Sequence, residues 1–247
     1  MKGIKIIISV ILALSISGCC RNENVSYIIK QAAITVDGYG DDWKSIQGIE
    51  VADTSQLWIG QGMIVENWKG KEDLSFTWKA AYDWHKIYFL FDVNDNILVD
   101  PAQQNLSFLN DVVEIMIDPE NKKGERFTVS ENKKRLNGYE MHFLPSTGNK
   151  VFIDDSIVPE YRMDLSQDEL FVNNWKGEIA STKKEGGYIL ELGFEVPGME
   201  INSGKRIGLD VDVCDDDGDG RKSLLIWSGE NNEFWLTMDK YPQVVFE

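Results

Sequence analysis

Short runs of alternating apolar and polar residues recur along the chain, and each predicts a β-strand. In Asp111–Asp118, Val113, Ile115 and Ile117 recur with period two, which places them on one face and predicts that they point into a core. Val112, Glu114 and Met116 take the other face. A glutamate between apolar neighbours either meets water or lines a polar floor. Lys79–Val93 reads as two strands around a turn at Asp83-Trp84-His85, with Ile87, Phe89 and Phe91 on one face and Tyr88, Leu90 and Asp92 on the other. Gly187–Val196 alternates through Tyr188, Leu190, Leu192, Phe194 and Val196. Ile207, Leu209, Val211 and Val213 alternate with Gly208, Asp210, Asp212 and Cys214. Tyr139–Leu144, stopped at Pro145, with Leu224–Trp227 and Val244–Phe246, complete the strands. Pro119 and the Asn121-Lys122-Lys123-Gly124 loop end the strand that carries Glu114. No long amphipathic helix is predicted, and Val158–Asn174 reads as a long loop with some ordered structure. Many short strands with turn signals predict an all-β, antiparallel sandwich or barrel.

The N-terminus differs in kind. Lys2 and Lys5 precede an apolar run from Ile6 to Leu14, too short for a transmembrane helix of roughly 20 residues. It reads as a secretory signal. Leu14-Ser15-Ile16-Ser17-Gly18-Cys19 resembles the lipobox of bacterial lipoproteins. The resemblance implies cleavage after Gly18 and acylation of Cys19, with durable membrane anchoring at about 0.8 kcal/mol per buried methylene. An ordinary signal peptide, or acylation of Cys20, is the alternative. The expected organisation is a signal over residues 1–18, a lipidated tether over 19–33 and one β domain over 34–247. The residue after Cys19 is not aspartate, which favours the outer membrane.

Composition narrows the partners. The chain carries a net charge of −16, and loss of residues 1–18, with their two lysines and no acid, takes it to −18. Such a surface repels nucleic acid and anionic lipid and suits neutral ligands or divalent cations. Hydrophobic content of 43% and aromatic content of 11% support a packed core. Three cysteines give no disulfide framework; Cys214 is expected free, with a Cys20–Cys214 bridge as the alternative. With His85 and His142 the only histidines, neither a histidine-rich zinc site nor a Ser/His/Asp triad stands out.

Five segments in order resemble the family 9 carbohydrate-binding modules. They are Val36-Asp37-Gly38-Tyr39-Gly40-Asp41-Asp42-Trp43; Ala80 to Asp95; Asn110 to Asp118; Gly187 to Pro197; and Ile207 to Val213, continuing through Arg221, Trp227 and Phe234-Trp235 to Tyr241. The resemblance implies a jelly-roll-like antiparallel β-sandwich that binds sugar without catalysis, a ligand such as xylan or glucan, and glycan-degrading enzymes as partners. It also implies a site. Two aromatic rings would clamp a sugar, Trp235 in one role and Phe108 where the family uses tryptophan. Asp95, Glu114, His142 and Asn232 would supply the polar contacts, His142 standing where the family has arginine. Stacking on apolar sugar faces combined with charge-assisted bonds to hydroxyls is the chemistry such a set performs.

Cys214-Asp215-Asp216-Asp217-Gly218-Asp219-Gly220-Arg221 is a dense carboxylate loop. Asp215, Asp217 and Asp219 are hard oxygen donors that calcium prefers, and the family resemblance also implies calcium. The twelfth residue from Asp215 is Ile226, so this is no EF-hand; a solvated turn neutralised by Arg221 is the alternative. Two further functions are open on the residues alone. Asp95, Asp111 and Glu114 could serve a glycoside hydrolase, whose carboxylates stand about 5–10 Å apart. His142 or Met141 could ligate haem.

Overall fold

The computed structural model describes residues 25–60, 65–99, 107–126, 138–145, 150–153, 176–230 and 233–247. Among the described residues, twelve strands form an all-β sandwich: β1 Tyr27–Gln31, β2 Ile49–Val51, β3 Leu74–Tyr82, β4 Ile87–Asp95, β5 Val112–Asp118, β6 Tyr139–Leu144, β7 Lys150–Ile153, β8 Gly177–Lys184, β9 Gly187–Phe194, β10 Arg206–Asp216, β11 Arg221–Ile226 and β12 Gln243–Phe246. One layer runs β7-β6-β5-β10-β12, with β11 on the far part of β10; the other runs β3-β4-β9-β8, with β2 beside β3. Strand β1 joins the layers at a corner by pairing with both β12 and β3.

Period-two patterning builds the interior. Val113, Ile115 and Ile117 do face inward, where they join Phe89, Phe91, Leu190, Leu192, Phe194, Leu209, Val211 and Val213 in one cluster drawn from both layers. Phe89 and Phe143 stack on Phe194 with centroids 5.8 and 6.0 Å away, so rings from both sheets interleave. The β3–β4 turn is made by Asp83, whose Oδ1 accepts from the backbone N–H groups of His85 and Lys86, each at 2.7 Å.

Both outer faces are covered as well. Trp43, Ile46, Ala81, Tyr88 and Leu90 pack outside the β3-β4-β9 layer, under Ala32, Ile34 and Val36. Glu191 on β9 holds that covering segment. Its carboxylate accepts from the N–H groups of Asp37 (2.8 Å), Gly38 (2.6 Å) and Gly40 (3.0 Å) and from Trp43 Nε1 (2.9 Å). Gly38 and Gly40 have φ of 86° and 71°, a region that costs glycine little, so the chain can curl around the carboxylate.

Several expectations need correction. The tether was expected to run to residue 33, but Tyr27–Gln31 form β1, with Ile29 fully buried. Five residues with two inward side chains are too few for a period to show. The sandwich is antiparallel as expected, apart from β1, whose two pairings are parallel. Cys214 is a free, buried cysteine. Cys19, Cys20, Asn232 and Val158–Asn174 lie outside the described residues. Among the described residues no helix is long and apolar enough to cross a membrane.

Candidate functional site

Strand register places Glu114 in a polar row. On the outer face of the β6-β5-β10 layer, Glu114 stands opposite His142 on β6 and opposite Asp212 on β10. Glu114 therefore faces neither bulk water nor the main core, being 2% exposed beneath a second apolar cluster that includes Trp58, Val112, Met116, Leu224, Ile226 and Phe234. His142 Nε2 lies 3.8 Å from Glu114 Oε1 and 3.2 Å from Glu140 Oε1. Arg126, fully buried, pairs with the other oxygen of Glu140. Cys214 Sγ is 3.8 Å from Glu114 Oε1.

Burial sets the electrostatics of the row. Desolvation pushes the carboxyl of Glu114 up, against the opposing pull of His142. Desolvation and then the charge of Glu114 push Asp212 well above the usual carboxylate range. The raised carboxyl of Asp212 is set to donate to Glu114, and its oxygens bond no other group of the protein.

Aromatic rings stand beside the floor. Trp235, half-buried, packs at 5.4 Å and 74° against Trp58. The Arg221 guanidinium lies 5.4 Å from the ring centroids of both Trp58 and Phe108 and so ties these rings together. Trp58 and Asp212 were not anticipated. Asp212 carried a signal, since it alternates outward on β10 as Glu114 does on β5, but only the register makes them neighbours. Trp58 reaches the site through its N–H bond to Leu224 and the adjoining bridge between Leu57 and Leu225.

Asp95 falls in a different group. Oxygens of Asp95, Asp111 and Asp215 all lie within 4.8 Å of one another. The expected calcium set of Asp215, Asp217 and Asp219 is not brought together: Asp217 pairs with Lys222, and Asp219 is exposed at the loop tip. Asp215 turns inward instead, because it continues the β10 ladder opposite Ser223 before the bulge at Asp216. Asp111 accepts from Val99 N–H at 2.6 Å and Asp216 N–H at 2.7 Å. Desolvation is the first cause raising all three carboxyls, to about 6 for Asp95, 8 for Asp111 and 7 for Asp215. Neighbouring acids add to it, Asp217 and Asp73 on Asp95 and Asp215, and Asp95 on Asp111.

The group fits calcium. Oxygens held about 2.4 Å from one ion can be no more than about 4.8 Å apart, and an all-oxygen set suits a hard cation. Asp215 Oδ1 and the hydroxyl of fully buried Tyr188 have no hydrogen-bond partner, and after desolvation the charges of Asp111 and Asp95 act most strongly on that tyrosine. A separate cavity of about 590 Å³, lined by residues including Trp84, His85, Lys176, Glu195 and Pro197, shares no residue with the polar row.

A β-sandwich with a polar row and aromatic walls on one outer face defines the class. Residues 36–247 match the family described as carbohydrate family 9 binding domain-like, and the chain belongs to that family. It is 24% identical over 207 residues to the exoglucanase XynX of Acetivibrio thermocellus, a match covering 81% of this chain and 15% of that enzyme. Two solved structures of a family 9 carbohydrate-binding module from Caldicellulosiruptor kristjanssonii share the fold, one in complex with cellotriose and one with glucose. Both have a TM-score of 0.62 at 14% identity; coverage is 90% of this chain and 93% of that one for the first, 89% and 94% for the second.

Proposed function

We propose that this protein binds carbohydrate without cleaving it, on the outer face of the β6-β5-β10 layer. The observation that carries the reading is the row His142-Glu114-Asp212, whose buried acceptors stand beside Phe108, Trp58 and Trp235. In this reading Trp235 and Phe108 stack on the apolar faces of a sugar, and Glu114, Asp212 and His142 bond its hydroxyls. Asn232 is a further proposed contact on the family resemblance, whereas Asp95 lies in the buried group with Asp111 and Asp215 and is left to the cation. Ligands are fragments of plant-type polysaccharide, glucan or xylan, consistent with the cellotriose and glucose bound by the related modules. Calcium at Asp95, Asp111 and Asp215 is proposed to be part of the folded protein.

The chain spans only a small part of the exoglucanase it matches, so partnership with glycan-degrading enzymes belongs to the proposal. So does attachment to the outer membrane through Cys19: Cys19→Ser is expected to move the protein from the membrane fraction to the soluble one. A glycan array followed by calorimetry tests the main reading. Binding to cellotriose or xylan oligosaccharides with no release of reducing sugar supports it, and release of reducing sugar abolished by Glu114→Gln would replace it with hydrolysis.

A further inference from the structure

The acidic group and the aromatic wall share one short segment of chain. Phe108 sits in a single 3-10 turn, Ser107–Leu109, which is too short to hold itself. Three residues on, Asp111 is fully buried and ties together two other segments through its bonds from Val99 N–H and Asp216 N–H. Asp216 in turn pairs in register with Arg221, the residue between Phe108 and Trp58. Asp215, adjacent on β10, and Asp95 at the end of β4 complete the group around Asp111. Three buried carboxylates so close repel one another, and a cation between them removes that repulsion.

We propose that a divalent cation bound by Asp95, Asp111 and Asp215 positions Phe108 and Arg221, so that cation and glycan tighten each other's binding. The inference rests on the carbohydrate-binding reading above. Asp111 is the positioning residue: it touches the cation and acts on the ligand through Phe108. Linkage makes the effect reciprocal, since a cation that raises glycan affinity by some factor must itself be bound more tightly by that factor when glycan is present.

The test is calorimetry on the full chain in detergent. Calcium chloride is titrated into the chelator-stripped protein alone, then in saturating cellotriose; cellotriose is titrated with and without calcium. The expected result is a cellotriose Kd at least tenfold weaker in EDTA, matched by a calcium Kd tightened by the same factor in cellotriose. Asp111→Asn is expected to bind cellotriose weakly whether or not calcium is present. The wild-type cycle needs no variant, so it decides the matter even where Asp111→Asn does not fold. Cellotriose affinity that is the same with and without calcium overturns the coupling and leaves carbohydrate binding intact. Absence of calcium binding also overturns the coupling, and absence of cellotriose binding in every state overturns both readings.

Discussion

Replacing Glu191 by glutamine should destabilise the protein severely, for a reason visible in the hydrogen-bond pattern. Oε1 accepts from Gly40 N–H and Trp43 Nε1, while Oε2 accepts from Asp37 N–H and Gly38 N–H. Glutamine keeps one oxygen and presents an NH2 group in place of the other. Whichever way the amide turns, two N–H donors face a donor instead of an acceptor. A hydrogen bond to a charged group contributes about 1.5–3 kcal/mol, so losing two costs ~3–6 kcal/mol. That is a large share of the ~5–15 kcal/mol typical of a folded domain. Equilibrium unfolding in urea measures it, with the midpoint expected to fall and the slope to hold. Glycan affinity of the remaining folded protein should not change, because β9 lies in the other layer from the polar row. A loss below about 1 kcal/mol would refute the view that this carboxylate fastens the N-terminal segment to the sheet.

Other consequences can be measured separately. Asp210 is buried, and desolvation raises its carboxyl from an ordinary 3.8 to about 7. Folding then favours the protonated acid, so its contribution falls as pH rises from about 4 through 7, by up to ~4 kcal/mol. Asp210→Asn should therefore stabilise the protein at pH 8 relative to wild type and have little effect at pH 4; equal effects at both would contradict the assignment. Trp235→Ala should weaken cellotriose at least tenfold, about 1.4 kcal/mol, while unfolding curves stay within about 2 kcal/mol of wild type. Cys214 is buried and desolvation pushes its thiol well up, so it should react with a thiol reagent only at the rate of unfolding; rapid labelling of the native protein would contradict its place under the site.

Much of the sandwich is legible from alternation because the inward positions of its strands are apolar at every second residue while the outward ones mix polar and apolar side chains. The inward set of β5 and the strands β4, β9 and β10 follow from period two, whereas β3 begins at Leu74, before the expected start at Lys79. Strand β8 escaped because Gly177–Lys184 lies at the edge of its sheet and buries little on either face. Strands β1 and β2 are too short for any period. The site is harder to read than the fold. Glu114 and Asp212 each carry an outward-facing acid in an apolar strand, but their pairing is a matter of register, which the residues of one strand do not specify alone. The acidic loop misled for the same reason. Alternation grouped Asp215 with its sequence neighbours, whereas the ladder turns it toward Asp95 and Asp111, which come from other strand ends.

The central claim is that the row His142-Glu114-Asp212 and the rings beside it hold a sugar. Titration calorimetry of cellotriose into the calcium-loaded full chain, alongside Glu114→Gln and Trp235→Ala, tests it most directly. Saturable one-site binding by wild type, weakened at least tenfold in each variant, is the predicted result. Binding unchanged in both variants, or no heat from cellotriose, glucose or xylan oligosaccharides, would contradict it.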